Sequence, residues 1–192
     1  MGRRSMREEI VTAALDQFHR RGYHAAAVKD ITDAAGVPKG SFYNHFDSKE
    51  DLAVVVLERY GASRRLEDLA DPGTPPLDRL RAHFAFLRDD VVRHGYQRGC
   101  LYGNFGAEIV DHMDTVRDAV RGSFETWAGL VEATLAEAQR TGAIRAGLDP
   151  AVTAGFLLNA WEGTLIRART DRSPAAFEAF LTTVFDTLLA PA

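Results

Sequence analysis

Cys100 and six histidines are the side chains of this 192-residue chain best suited to covalent or metal chemistry. A thiol beside an imidazole makes a nucleophile and its base, yet no motif around Cys100 fixes such a geometry. His19 with His24, and His112 with Asp111 and Asp114, lack the paired spacing of zinc ligands. No catalytic residue, metal site or cofactor is therefore assigned, and these candidate metal ligands read as solvated surface. The stretch Gly36 to Lys49, GVPKGSFYNHFDSK, carries a different chemistry. Lys39, Ser41 and Asn44 have the donors and acceptors to reach base edges or a groove floor, with Gly40 between them. Tyr43, His45 and Lys49 suit phosphate oxygens. The chemistry implied is recognition of double-stranded DNA.

Elements that hold these residues are readable around them. Val28 and Ile31 in VKDITDAAG sit at helical spacing, and Gly36 supplies the permissive backbone a sharp turn needs. Pro38 is tolerated only in a first helical turn, so a second helix starts at about Val37 to Lys39 and runs through SFYNHF. Phe42 and Phe46, four apart, share the face that packs inward. Ser48 then caps a further helix to about Arg65, with Asp51 completing a capping-box-like pattern. Lys49 lies in its first turn, where the helix dipole disfavours a cation, and a phosphate partner would explain the placement. Upstream, Ile10, Val11, Ala14, Leu15 and Phe18 make an amphipathic helix preceded by Arg3, Arg4 and Arg7, a basic start suited either to flanking phosphates or to a solvated end.

The run from about Met6 to Tyr60 resembles the DNA-binding domain of the TetR family of bacterial transcriptional regulators. The resemblance rests on Gly22-Tyr23, Ile31 to Val37, Lys39 to Phe46 and Ser48 to Glu50. One departure is Ala25, Ala26 and Ala27, where the family usually places Thr or Ser; a cap of about 1 kcal/mol is missing there, with a hydroxyl that often touches phosphate. The resemblance implies an all-α protein of about nine helices. An N-terminal three-helix helix-turn-helix domain, residues 1–50, is followed by an effector-binding and dimerisation domain, residues 51–192.

The remainder of the chain fits that division. The formal charge is −4 overall, but residues 1–50 carry +1 and the rest −5. Only the head suits a polyanion, and weakly, so base contacts and dimerisation must contribute. The segment DPGTPP, Asp71 to Pro76, breaks the chain before a helix carrying Leu77, Leu80, Phe84 and Leu87 that Gly95 ends. Gly99 to Ile109, GCLYGNFGAEI, places three glycines in helix-like sequence, which a close approach or a broken helix would explain. Asp114 opens a long helix to about Arg140, and Asp149-Pro150 and Ser173-Pro174 start two more. Phe156, Trp161, Phe177, Phe180, Val184 and Leu188 make stripes wider than one neighbour covers. The resemblance implies that these last two helices pair with their twins in a homodimer. Such a dimer reads a near-palindromic site.

By the same resemblance, an effector cavity draws its walls from Phe84, Cys100, Tyr102, Asn104, Phe105, Trp127 and Trp161, although aromatics at helical spacing are equally core residues. Gly99 to Asn104 is similar to a Gly-Cys-Leu-x-Gly-Asn stretch of a TetR subgroup in which some members sense electrophiles or oxidants through a cysteine. Cys100 is thus either a sensor or a small buried apolar residue. No signal-like run or bilayer-length segment occurs, and one cysteine forms no internal disulfide, so a cytoplasmic protein without a membrane partner is expected. The expected function is a transcriptional regulator, in the form of a repressor released by a small-molecule or thiol-reactive effector. The alternatives are a helical protein-binding adaptor or a thiol-dependent enzyme. Repressor and activator use the same fold, and neither effector nor operator is legible.

Overall fold

The computed structural model describes residues 5–191, and every regular element among them is helical. The α-helices are α1 (Met6–Ala25), α2 (Val28–Ala35), α3 (Lys49–Ala62), α4 (Pro76–Arg93), α5 (Leu101–Glu108), α6 (Asp114–Arg140), α7 (Pro150–Asp171) and α8 (Ala175–Thr183). Short 3-10 segments occupy Lys39–Asn44 and Leu66–Ala70, and a π-helical turn, Val184–Leu188, closes the chain. Arg3 and Arg4 of the basic start lie outside the described residues.

Contacts divide the chain into two compact units, residues 1–63 with 101–123, and residues 64–100 with 124–192. In the first, the apolar stripe of α1 (Ile10, Val11, Ala14, Phe18) is fully enclosed together with Ile31, Phe42, Leu52 and Phe105. In the second, Phe84 of α4, Trp161 of α7 and Phe177 and Phe180 of α8 form one aromatic cluster with centroid separations of 5.0 to 5.3 Å. Helix α6 belongs to both, residues 114–123 to the first and the rest to the second.

Local signals account for the helix ends. Ser48 accepts the Asp51 amide at 3.0 Å, and Asp149 accepts those of Ala151 at 2.9 Å and Val152 at 3.1 Å. Helix α2 starts at Ala27 with no side-chain cap, as the missing Thr or Ser predicts; the Asp30 carboxylate accepts the Ala27 amide instead, at 3.3 Å. Helix α3 stops at Ala62, before the expected Arg65, because Arg65 takes up a left-handed conformation (φ 56°, ψ 39°) that no α-helix continues through.

Three expectations need correction. The segment after the Gly36 turn is a six-residue 3-10 helix, not an α-helix. Pro38 lacks an amide and is extended, and Ser41 N–H bonds back to its carbonyl at 2.9 Å, an i to i+3 closure that sets the tighter winding. Helix α5 runs without a break through Gly103 and Gly106, and a Cβ at Gly106 would meet nothing, so close approach does not explain that glycine. Third, Trp161, Phe177, Phe180 and Val184 are buried within the chain, and Leu188 is half-buried. Helices α4 and α7 cover the wide stripe of α8, which needs no second copy to hide it. The apolar side chains left exposed on α7 are Val152, Phe156 and Ile166.

Candidate functional site

Turn geometry presents the 3-10 segment. Gly36 sits in the left-handed region (φ 68°, ψ 27°) with its amide bonded to Asp33 O, and Val37 N–H bonds to Thr32 O at 3.0 Å. Phe42 and Phe46, both buried with centroids 5.6 Å apart, anchor the segment to the head. Lys39, Gly40, Tyr43 and Asn44 therefore face solvent, with Tyr43 60% exposed despite its aromatic ring.

The other three expected contact residues point elsewhere. Ser41 is buried and its hydroxyl donates to Pro38 O at 2.5 Å, because the 3-10 winding turns that position inward. His45 is half-buried, with Nε2 enclosed and without a partner among the described residues. Lys49 is occupied inside the protein. Its ammonium donates to Tyr23 O at 2.9 Å and Ala26 O at 3.3 Å and lies 4.1 Å from the Tyr23 ring centroid. Burial draws its pKa below the ordinary lysine value, with Glu108 opposing. The unfavourable first-turn position is thus explained by the carbonyls that end α1, not by phosphate.

Those carbonyls belong to a built joint. Gly22 breaks α1 with φ 77° and ψ 173°, a conformation only glycine adopts readily. The amides this frees, those of Tyr23 and His24, are taken by the Glu108 carboxylate at 2.9 and 2.8 Å. Glu108 closes α5, so one side chain ties that helix to the segment leading into α2. Among the expected cavity residues, Phe105 packs on Phe18 and Tyr23 in the same unit, and Tyr102 packs edge-on to Tyr60 with its hydroxyl donating to Leu57 O at 3.5 Å. Asn104 is half-buried there.

In the second unit, Phe84 and Trp161 are core, and Trp127 donates its indole N–H to His83 Nε2 at 2.9 Å. That bond fixes the proton of the neutral ring on Nδ1. Burial, aided by the Arg64 charge, pulls the His83 pKa down to about 4. Cys100 is buried and hydrogen-bonds to Glu162, whose carboxyl is pushed up to about 7 by burial and only partly restored by the thiol. Sequence reasoning passed over Glu162, Glu108 and His83. Glu162 had a signal: it is the only charged residue between Asp149 and Arg167 in an otherwise apolar run. Glu108 and His83 had none, since each acts through partners remote in sequence.

A short helix, a left-handed glycine turn and an outward polar face on a second short helix define a helix-turn-helix DNA-binding protein. Residues 10–56 match the bacterial regulatory proteins of the tetR family, and residues 76–184 match the tetracyclin repressor-like C-terminal domain. The transcriptional repressor DhaR of Mycobacterium sp. (strain GP1) is 38% identical over 192 residues, 98% of this chain and 95% of that protein. The crystal structure of regulatory protein TetR from Rhodobacter sphaeroides superposes with a TM-score of 0.87 at 34% identity, covering 95% of this chain and 98% of that one. The reduced form of Escherichia coli NemR does so at 0.86 and 28%, covering 97% and 99%. The chain belongs to the TetR family of transcriptional regulators, which bind operator DNA as dimers and are not enzymes. No helix among the described residues is long and apolar enough to cross a membrane.

Proposed function

We propose that this protein is a cytoplasmic repressor that occupies a near-palindromic operator as a homodimer and leaves it when a small-molecule or thiol-reactive effector binds. Residues 1–50 read DNA, and residues 51–192 sense and dimerise. Lys39 and Asn44 address base edges, Gly40 lets the backbone approach, and Tyr43 holds phosphate with His45 at the margin. Val152, Phe156 and Ile166 on α7 are the apolar residues free to meet a second copy.

The observation that carries the release mechanism is the Glu108 carboxylate on the Tyr23 and His24 amides. Cys100 immediately precedes α5, and Glu108 ends it. An event at Cys100 that shifts α5 pulls on the joint feeding α2, so the effector and the operator favour different positions of one element. Cys100 lies in the Gly-Cys-Leu-x-Gly-Asn stretch that resembles the cysteine-sensing subgroup, and a relative, NemR, has been solved in a form described as reduced. Glu162 supports reactivity, because its carboxylate form can take the thiol proton as sulfur attacks. With a maleimide, the S–C bond forms across the C=C double bond and the proton returns to the adjacent carbon.

Binding to the protein's own upstream DNA, measured at two salt concentrations with Tyr43→Ala alongside, tests the reading. Competitor-resistant binding that weakens with salt and fails in the variant is expected. N-ethylmaleimide then releases the wild type but not Cys100→Ser. Release of both equally removes the thiol arm, and no enrichment from a random-sequence pool removes the DNA-binding reading.

A further inference from the structure

Side-chain amines are confined to one part of this molecule. Of its 23 Lys and Arg side chains only three are lysines, Lys29, Lys39 and Lys49, and all of them fall between residues 29 and 49. Arginine stays protonated, whereas the lysine amine is the group that takes up acyl substituents. Every side-chain amine that an acyl donor can modify therefore belongs to the helix-turn-helix head. The three differ in what surrounds them. Lys49 donates to Tyr23 O and Ala26 O and lies 4.1 Å from the Tyr23 ring centroid. Burial draws its pKa down and so favours the free amine, but the carbonyls and the ring occupy the approach that an acyl carbon needs. Lys29 is exposed, and its nitrogen stands 2.5 Å from the Asp33 carboxylate, one turn along α2. That hydrogen bond, and then the Asp33 charge, raise its pKa and deplete the free amine. Lys39 is exposed, and its ammonium has neither an ion pair nor a hydrogen bond among the described residues. Pro38 and Gly40 on either side are exposed too, and a Cβ at Gly40 would meet nothing within 4 Å, so the space beside Lys39 is open.

The same surface indicates the donor. Tyr43 and Asn44, exposed on the 3-10 segment that carries Lys39, offer hydrogen bonds suited to phosphate oxygens. A surface that receives a DNA phosphate also receives an acyl phosphate, whose carbonyl carbon is bonded to a phosphate oxygen. We infer that Lys39 is a site of acylation by acyl phosphates, and that the acyl group keeps the protein off its operator. The ammonium first gives one proton to solvent. The amine lone pair then attacks the carbonyl carbon, the N–C bond forms, and the C–O bond to phosphate breaks. Phosphate leaves with the bonding pair, and the second proton passes from nitrogen to phosphate or solvent. The product is a neutral amide with one N–H in place of three donors and a positive charge. This inference rests on the reading of Lys39 as a DNA-facing residue. Because bound DNA covers that face, the modification acts on the free protein.

Acetyl phosphate serves as probe, applied to the full chain alone and with the duplex that it binds. Peptide mass spectrometry reads each lysine separately. Lys39 is expected to be acetylated several-fold faster than Lys29 or Lys49, and bound duplex to suppress its acetylation but not that of Lys29. The treated protein then binds the duplex at least about tenfold more weakly, the loss of one base or phosphate contact in each subunit. The affinity of Lys39→Arg does not respond to acetyl phosphate, while that of Lys29→Arg responds as the wild type does. Preferential acetylation of Lys29 or Lys49, or operator affinity that survives full acetylation of Lys39, overturns the inference. Failure of the untreated protein to bind any duplex counts against the DNA-binding reading instead, and the acetylation pattern of the free protein still decides whether Lys39 is the site.

Discussion

Glu108 accepts the amide N–H of Tyr23 at 2.9 Å across 85 residues of sequence, and its second oxygen takes the next amide along. The broken backbone at Gly22 makes both amides available, so the carboxylate and the break form one device. Removing Glu108 leaves two donors short of a partner at the joint. Glu108→Ala is expected to cost about 1–3 kcal/mol in stability and to weaken operator binding more than it weakens folding. Gly22→Ala disrupts the same joint from the backbone side, because φ 77° with ψ 173° is strained for alanine and the new Cβ would stand 2.8 Å from a Glu108 oxygen. Urea denaturation and operator titration on both variants check this. Normal DNA affinity in both would detach the joint from function.

Lys49 and Lys39 separate a structural lysine from a DNA-facing one. Lys49→Met removes the hydrogen bonds to Tyr23 O and Ala26 O and is expected to lower stability by about 1 kcal/mol while leaving the salt dependence of DNA binding intact. Lys39→Ala should leave stability alone and reduce the slope of log affinity against log salt by roughly one if it meets a phosphate, or relax base preference if it meets a base edge. A reduced salt slope in Lys49→Met would return that residue to the DNA surface.

Helix α7 supplies the dimerisation test. Phe156→Asp with Ile166→Asp places charges on exposed positions, so the chain should stay folded and elute at half the wild-type mass in light scattering. Phe180→Asp buries a charge among Phe84 and Trp161 and should unfold the protein, a loss of several kcal/mol. An unchanged mass for the double variant would exclude this face.

Short-range grammar made the head legible. Gly36, Phe42, Phe46 and Ser48 each act on neighbours within a few residues and do in the fold what their spacing implies, whereas Pro38 sits extended just before a 3-10 segment and not in the first turn of an α-helix. Ser41 and Lys49 misled for the complementary reason. A helical wheel puts Ser41 outside, but 3-10 winding rotates it inward. The partners of Lys49 are carbonyls 23 and 26 residues upstream, at the end of α1. The wide stripe of α8 was visible, but a stripe says only that something covers it. Its cover is Phe84 and Trp161 of the same chain, which the pattern alone does not distinguish from a twin. Glu162 and His83 gain their character from burial among remote residues, a quantity that sequence spacing does not carry.

Those two groups oppose each other in acid. The Glu162 carboxyl rises from 4.5 to about 7 on folding, so between those values the folded state holds more protons than the unfolded one and stability falls as pH rises. His83 falls from 6.5 to about 4, so between those values the unfolded state holds more protons and stability rises with pH. Each contribution amounts to about 3 kcal/mol over its full window. From about pH 4.5 to 6.5 the two slopes largely cancel in the wild type, and only Glu162 acts above that. Glu162→Gln should therefore gain stability relative to wild type as pH rises from 4.5 to 7. His83→Gln, which keeps an acceptor for the Trp127 indole, should lose it over pH 4 to 6.5, and the double variant should track the wild type where the windows overlap. Chemical denaturation across this range measures all four proteins. Single-variant curves running parallel to the wild type would show that neither group titrates differently in the folded and unfolded states.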